Sequence, residues 1–176
     1  VPCWALGPYA GPHRASILAM KERGRRDLAA PLGVALAAAV TRLRDAGEID
    51  PPELSPLVLV PAPSRRRAAR VRGGDPILRT CRHVARVLAS EDARVEPVLR
   101  VDARVRDSVG LTADERADNL RGRVHARSTG IDAIGRGPVL LVDDVVTTGT
   151  TAAESVAALR RSGVDVDAVL VLASVR

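Results

Sequence analysis

The stretch GPVLLVDDVVTTGTTAAES, residues 137–155, decides how the rest of the chain is interpreted. Four apolar residues, 139–142, run into the adjacent Asp143 and Asp144, which is typical of a buried strand that ends in two like charges. The tract 147–151 follows, and apolar residues at helical spacing come after it. A strand, a loop and a helix in this order predict one unit of an α/β fold.

The other segments continue this alternation. Apolar residues at helical spacing predict helices, and short apolar runs predict strands. The helices are expected at residues 11–23, 27–44, 76–88, 112–120 and 151–161, and the strands at residues 57–60, 94–101, 137–144 and 166–175. Strands that are apolar throughout are typical of parallel sheets covered on both faces. The sequence therefore predicts an α/β fold with a mostly parallel sheet, helices on both faces and a short helical N-terminal segment.

The composition limits the core and leaves the partners open. Hydrophobic residues make up 46% of the 176, with one Trp, one Tyr and no Phe, so we expect an aliphatic core. The net charge of +6 is carried by arginine, because Lys21 is the only lysine. The planar fork of arginine suits phosphate groups, although a GC-rich genome would give the same composition.

Neither a disulfide framework nor a membrane span is indicated. Cys3 and Cys81 lie far apart without a C-x-x-C partner, which supports neither a disulfide scaffold nor a complete zinc site. No apolar run approaches the roughly 20 residues that a membrane span needs, and the first residues lack the pattern of a signal peptide. We therefore expect a soluble cytoplasmic protein.

The two aspartates are placed where a ligand would bind. In an open parallel sheet, ligands gather beyond the carboxyl ends of the strands, where Asp143 and Asp144 are expected. Two carboxylate acceptors at close spacing suit either the vicinal hydroxyls of a ribose or a metal ion with its waters. Each hydrogen bond to a charged acceptor contributes about 1.5–3 kcal/mol, which is enough for two of them to orient a sugar.

The residues after the aspartates suit a phosphate group. A helix start exposes unpaired N–H groups and about half a positive charge, and a glycine there lets the backbone come close to a ligand. Acceptors for a sugar followed by donors for a phosphate predict a site for a ribose 5-phosphate. The alternative is structural, because Thr151 and Glu154 also have the spacing of a helix capping box. The phosphate loop would consist of Thr147, Thr148, Gly149, Thr150 and Thr151.

Other common site signatures are missing from the sequence. Neither the P-loop pattern G-x-x-x-x-G-K-[ST] nor the dinucleotide pattern G-x-G-x-x-G occurs. His13, His83 and His125 are scattered along the chain, and we expect them to be surface or helix residues rather than ligands.

Residues 139–151, VLLVDDVVTTGTT, resemble the phosphoribosyl pyrophosphate signature of type I phosphoribosyltransferases. The segments ILAMKERGRRDLA, VPAPSRRRAARVRGGD and VGLTADERADNLRG resemble, in order, segments of the ComF family. Members of that family are phosphoribosyltransferase-like proteins linked to DNA uptake in competent bacteria. The resemblance covers nearly the whole chain. It implies a type I phosphoribosyltransferase-like domain in residues 51–176, preceded by an N-terminal helical segment in residues 1–50.

The resemblance also implies a role for each part of the site. Asp143 and Asp144 would hold the ribose hydroxyls, and residues 147–151 would hold the 5′-phosphate. Mg²⁺, bound through the ligand and water, would bridge pyrophosphate and ribose, and residues 104–112 would be a mobile loop that closes over the site. It implies no metal ligand of the protein and no particular catalytic base. Pyrophosphate would face Pro63, Ser64, Arg65 and Arg70.

The chain departs from the family pattern in two ways. Family members commonly carry a four-cysteine zinc module at the N-terminus, of which only Cys3 could be a remnant. The family often has Gln before its GL motif and aromatic residues near two glycines, whereas this chain has Ser108, Gly74 and Val124. The resemblance therefore implies no particular acceptor base.

Two functions are open at this point. The first is a phosphoribosyltransferase-like protein that binds phosphoribosyl pyrophosphate or a related ribose 5-phosphate ligand and displaces pyrophosphate from C1 of the sugar. The second is a non-catalytic protein that binds single-stranded DNA or competence proteins, supported by RRRAARVR at residues 65–72. Single-strand binders usually add aromatic stacking platforms, and only Trp4 and Tyr9 are aromatic here, which argues against the second function.

Overall fold

The computed structural model describes residues 1–64, 73–102, 113–135 and 137–175. Helices and strands alternate along these residues. The strands are β1 Cys3–Ala5, β2 Val58–Pro61, β3 Arg94–Val95, β4 Leu99–Val101, β5 Val124–Ala126, β6 Val139–Val146 and β7 Ala168–Ser174. The α-helices are α1 Gly11–Glu22, α2 Ala29–Asp45, α3 Pro76–Val87, α4 Ala113–Leu120, α5 Ser128–Ile134 and α6 Thr150–Arg161. Short 3₁₀ helices cover Arg26–Leu28 and Ala89–Glu91.

Five strands form one parallel sheet in the order β1-β7-β6-β2-β3. The central pair is β2 and β6, which run in register from Val58 opposite Val139 to Pro61 opposite Val142. β4 and β5 form a separate antiparallel pair. The prediction of an α/β fold with a parallel sheet flanked by helices is confirmed.

Hydrophobic side chains pack on both faces of the sheet, which is why its strands are apolar throughout. Successive strand residues point to opposite faces, so neighbouring residues of β2 join two separate clusters. One cluster is covered by α1, α2 and α3 and includes Leu59, Leu140, Ile17, Leu36 and Val84. The other is covered by α6 and includes Val58, Leu141, Ala158 and Leu159.

Parts of the sheet differ from the expectation. β1 lies in the segment predicted to be helical and pairs in parallel with β7. The single strand expected at residues 94–101 is two strands, and Pro97, which cannot donate a ladder hydrogen bond, lies between them. The local pattern also does not indicate β5 or α5. These short strands form through partners that are distant in sequence, which a local pattern does not show.

The N-terminal helices share the core of the sheet. Ile17 and Met20 of α1 are buried together with Leu36 of α2, Leu140 of β6 and Leu170 of β7. The proposed boundary at residue 50 between a helical segment and a phosphoribosyltransferase-like domain stays a prediction.

Several predicted features lie outside the described residues. Among them are the loop expected to be mobile and the cap expected for α4. These features are Arg65, Arg70, residues 104–112, Ser108 and Thr112.

The membrane expectation concerns the helices. Among the helices of the described ranges, none is both long enough and apolar enough to cross a bilayer. The cytoplasmic location stays a prediction.

Candidate functional site

The candidate site lies at the topological switch point of the sheet, between β2 and β6. β3 lies beside β2 on one side of the central pair, and β7 lies beside β6 on the other. The connections after β2 and β6 therefore diverge, and in open α/β sheets such a point opens a crevice at the carboxyl ends of the strands. The Ala62 N–H donates to the Val142 carbonyl at 2.8 Å, so the loop after β2 starts beside the last part of β6.

A small, solvent-open pocket lies at the carboxyl end of β6. Its lining consists of Asp143 and residues 145–152. The structure thus brings the first aspartate of the pair together with all five residues predicted to hold a phosphate. Asp144 does not line this pocket.

The segment 147–151, which joins β6 to α6 and includes the first two residues of that helix, has a backbone that suits a phosphate group. Gly149 has φ 78° and ψ 0°, a left-handed conformation that favours glycine, and it is the N-cap of α6. A Cβ built on Gly149 would meet nothing within 4 Å, so the backbone conformation rather than crowding accounts for the glycine. The hydroxyls of Thr148 and Thr150 lie 2.9 Å apart and share a hydrogen bond. Hydroxyls and helix N–H groups therefore meet at one edge of the pocket.

The capping-box alternative is not what the geometry shows. Gly149 has no side chain with which to cap α6. Glu154, which a capping box would turn back toward the helix start, instead accepts a hydrogen bond from the Gly122 N–H at 2.8 Å. Within the described residues, α6 therefore begins without a side-chain cap, and its first N–H groups point to the end that borders the pocket.

Asp143 is the half-buried carboxylate of the pair. Its Oδ1 accepts the N–H of Asp144 at 2.8 Å. Burial, with the neighbouring Asp144 carboxylate as the second cause, raises the pKa of Asp143 to about 7. The carboxyl at the pocket is therefore an acid that a bound hydroxyl or cation would help to ionise.

Asp144 has different surroundings, although it is the next residue. It is 8% exposed, and its Oδ2 lies 2.5 Å from Nζ of Lys21, in the last turn of α1. A cation near a helix C-terminus is favourable because the helix carries a partial negative charge there. The pair thus consists of one carboxylate at the pocket and one carboxylate held by a lysine.

The loop after β2 is anchored beside this site. Ser64 Oγ donates to Asp75 Oδ2 at 2.5 Å. Asp75 Oδ1 accepts the N–H groups of Ile77 and Leu78 at 2.9 and 3.1 Å, so this aspartate is also the N-cap of α3. Pro63 and Ser64 are half-buried. Ser64 and Asp75 are therefore held together by a side-chain contact close to the end of β2.

The carboxylates fit a magnesium ion that is carried by a ligand. Over the residues that the structure describes, no group of three His, Cys, Asp or Glu side chains could enclose a metal ion. Mg²⁺ usually keeps several waters and binds through one or two carboxylates and the substrate phosphates rather than in a protein cage. An ion of this kind would reach the pocket with the ligand, bound through the ligand and water rather than through a protein cage.

Sequence reasoning does not find two of the contacts at the site. Lys21 stands out as the only lysine, but its partner Asp144 lies 123 residues away in the chain and nothing in the local pattern joins them. Asp75 carries a detectable signal, because an aspartate directly before Pro76 is typical of a helix N-cap. The contact between Asp75 and Ser64, in contrast, has no signal in the local sequence.

Comparison with known proteins gives no assignment. The chain matches no model of a protein family, and no curated protein is similar enough to count as a relative. The resemblance to the ComF family and to type I phosphoribosyltransferases therefore stays a prediction from the motifs.

Proposed function

We propose that this protein binds phosphoribosyl pyrophosphate, or a related ribose 5-phosphate ligand, in the pocket between β6 and α6. One observation carries the proposal: Asp143 and residues 147–151 line the same pocket at the switch point of a parallel sheet. A half-buried acid and a glycine-containing helix start are suited to the two ends of one pentose phosphate.

The phosphate end of the ligand would lie against residues 147–151. The uncapped start of α6 supplies N–H donors and a partial positive charge, and Gly149 leaves open space beside the backbone. The hydroxyls of Thr148 and Thr150, which bond to each other, can exchange that bond for hydrogen bonds donated to a phosphate.

The sugar end would lie against Asp143. A ribose hydroxyl donates to a carboxylate most strongly when that carboxylate is ionised. Ligand binding should therefore lower the raised pKa of Asp143 and release a proton at neutral pH. The motif implies the same role for Asp144, which stays a prediction because Asp144 does not line the pocket.

Pyrophosphate would lie toward the loop after β2. Ser64 is held there by Asp75, and the switch point brings this loop next to the end of β6. Roles for Arg65 and Arg70 stay predictions, because both lie outside the described residues. Mg²⁺, bound mainly through the ligand and water, would neutralise charge on the pyrophosphate oxygens.

The finer assignment of the fold follows from the same argument. A parallel sheet with a phosphate loop after β6 and an anchored loop after β2 is compatible with a type I phosphoribosyltransferase-like domain. We include membership of that class, and a link to DNA uptake, in the proposal. Their support is the sequence resemblance of residues 139–151 and of the three further segments.

A transfer reaction would complete the function. An acceptor nitrogen would bond to C1 as the bond from C1 to pyrophosphate breaks, with the electron pair leaving on pyrophosphate and the acceptor proton passing to solvent. The chain's contribution would be electrostatic, through the helix N–H groups at the 5′-phosphate and the carboxylates at the ribose. Whether transfer occurs is part of the test.

The experiment is a calorimetric titration with phosphoribosyl pyrophosphate and Mg²⁺, followed by a screen of nucleobases for pyrophosphate release. The proposal predicts binding to the wild type that weakens at least about tenfold in Asp143→Asn, which is a loss of about 1.4 kcal/mol. Asp165→Asn, at a side chain that is 92% exposed, is the control and should bind as the wild type does. Absence of binding to the wild type would contradict the proposal, and binding without pyrophosphate release would limit it to a binding protein.

The single-stranded DNA function stays a prediction. Its support is the arginine run at residues 65–72, which lies outside the described residues. Salt-sensitive binding of single-stranded DNA that survives Asp143→Asn would assign the function to that run instead.

A further inference from the structure

We propose that Lys21 is a positioning residue of the aspartate pair: it holds the side chain of Asp144 against α1 and leaves Asp143 as the carboxyl that meets the ligand. The predicted effect of Lys21 on ligand binding rests on the proposed function. Its predicted effect on the two carboxylates rests only on the contacts of Lys21.

The first support is the contact itself. Lys21 Nζ lies 2.5 Å from Asp144 Oδ2, and the side chain of Asp144 is only 12% exposed. A buried carboxylate that loses its cation is strongly disfavoured as an anion. The lysine side chain is 34% exposed, so its own desolvation is small compared with that of its partner.

The second support is the way α1 is held. Ile17 and Met20, on the same helix, are almost fully buried in the core. The hydroxyl of Thr80 in α3 donates to Pro76 O and lies 3.9 Å from the sulfur of Met20. These contacts fix the last turn of α1, and Lys21 therefore has a defined place beside β6.

The third support is the set of charges around the pair. Asp75 lies before α3, and its carboxylate is occupied by Ser64 and the helix N–H groups. Burial raises the pKa of the thiols of Cys81 and Cys3, which keeps both uncharged near neutral pH. In the described part of the chain, Lys21 is the one cation within ion-pair distance of either carboxylate.

These contacts divide the work between two adjacent residues. Asp144 contacts the ammonium group of Lys21 and does not line the pocket, whereas Asp143 lines it. The positive charge of Lys21 also favours the ionised form of Asp143, against the raising effects of burial and of Asp144. Lys21 would thus act on the ligand mainly through its contact with Asp144, without touching the ligand itself.

The test uses Lys21→Met, with Arg23→Met as the control because it removes a positive charge from an exposed residue at the end of the same helix. Titration of ¹³C-labelled aspartate carboxyls should show the coupled steps of the pair moving up by about one pH unit or more in Lys21→Met. Arg23→Met should leave them unchanged, and Lys21→Arg should restore them. Unchanged steps in Lys21→Met would overturn the proposal.

Ligand titration gives the second measurement. If the wild type binds phosphoribosyl pyrophosphate, Lys21→Met and Asp144→Asn should weaken binding by similar factors, about tenfold each. The double variant should be no weaker than either single variant, because both changes remove one interaction. Losses that multiply in the double variant would show that Lys21 acts independently of Asp144 and would overturn the proposal. If the wild type does not bind, the proposed function fails, and the carboxyl titration alone decides the role of Lys21.

Discussion

Asp143 and Asp144 show how far adjacent residues can differ. Both are aspartates of β6, yet one lines a pocket and the other is held by Lys21. The sequence identifies both as ligand-binding candidates, because two carboxylates at a strand end have few structural uses. It does not distinguish them, since the difference arises from a helix at the other end of the chain.

The raised pKa of Asp143 predicts a pH-dependent stability. The unfolded chain releases this proton near pH 4, whereas the folded protein keeps it until about pH 7. The stability that this group contributes is therefore complete below the unfolded pKa and is lost as the pH rises through about 7. Asp143→Asn should remove that loss and raise the free energy of unfolding above neutral pH by up to about 4 kcal/mol relative to the wild type.

Urea unfolding at a series of pH values between 4 and 8 measures this effect, at about one-unit intervals. Asp165→Asn serves as the exposed control and should leave the pH dependence unchanged. Parallel curves for the wild type and Asp143→Asn would contradict the assignment of the raised pKa.

Substitution of Gly149 should affect both the stability of the fold and ligand binding, whereas substitution of Gly163 should affect stability alone. Gly149 and Gly163 have φ 78° and 79°, and a Cβ at either position would meet nothing within 4 Å. Alanine at either position should therefore cost a similar amount, about 1–2 kcal/mol for the left-handed backbone. Only Gly149→Ala should also weaken the binding of phosphoribosyl pyrophosphate, because only Gly149 lines the pocket. Equal affinities of the two variants in calorimetry would count against a phosphate at this loop.

At the scale of elements, the strand-loop-helix unit of β6 and α6 is the part that the sequence predicts best. Its strand is apolar on both faces, its helix has a regular apolar stripe, and both properties are local. β1 and β3 are harder because each has no more than three residues and forms through pairing with a distant strand. The turn from β6 into α6 was thus predictable from its sequence, whereas the contacts of Lys21 and Ser64 were not.

The N-cap contacts of Asp75 predict that Asp75→Ala destabilises the fold more than Ser64→Ala does. Asp75→Ala removes the acceptor of the N–H groups of Ile77 and Leu78, and the loss of an N-cap costs about 0.5–2 kcal/mol. Ser64→Ala leaves this cap in place and removes only the hydroxyl contact, so it should cost less. Urea unfolding of both variants measures the difference. A larger loss in Ser64→Ala would show that the anchor of the loop, rather than the cap, stabilises this region.

The burial of Leu159 indicates that the packing of α6 against the sheet contributes strongly to the stability of the fold. Its side chain is 0% exposed in the cluster on the α6 face of the sheet. Leu159→Ala should lower the free energy of unfolding by about 2–5 kcal/mol through lost contacts and a cavity. Leu54→Ala, at a residue that is 73% exposed, is the matched control and should have little effect. Similar unfolding midpoints for the two variants would contradict the burial of α6.

At the scale of the whole molecule, the site depends on the order of the strands. The pocket lies beyond β6, the anchored loop lies beyond β2, and these two strands are neighbours because the sheet runs β1-β7-β6-β2-β3. The sequence predicts the parallel sheet from its apolar strands but does not contain a local signal for their order. Strand order is set by packing between segments that are distant in sequence. The sequence therefore identifies the segment after β6 and the loop after β2 as candidates, but it does not predict that they are neighbours.

The central claim is that one pentose phosphate lies between Asp143 and the start of α6. The most direct measurement is a crystal structure of the protein soaked with ribose 5-phosphate. The account predicts that the phosphate oxygens accept hydrogen bonds from backbone N–H groups of residues 147–151, with a ribose hydroxyl donating to Asp143. A phosphate bound elsewhere, or residues 147–151 covered by neighbouring side chains, would contradict it.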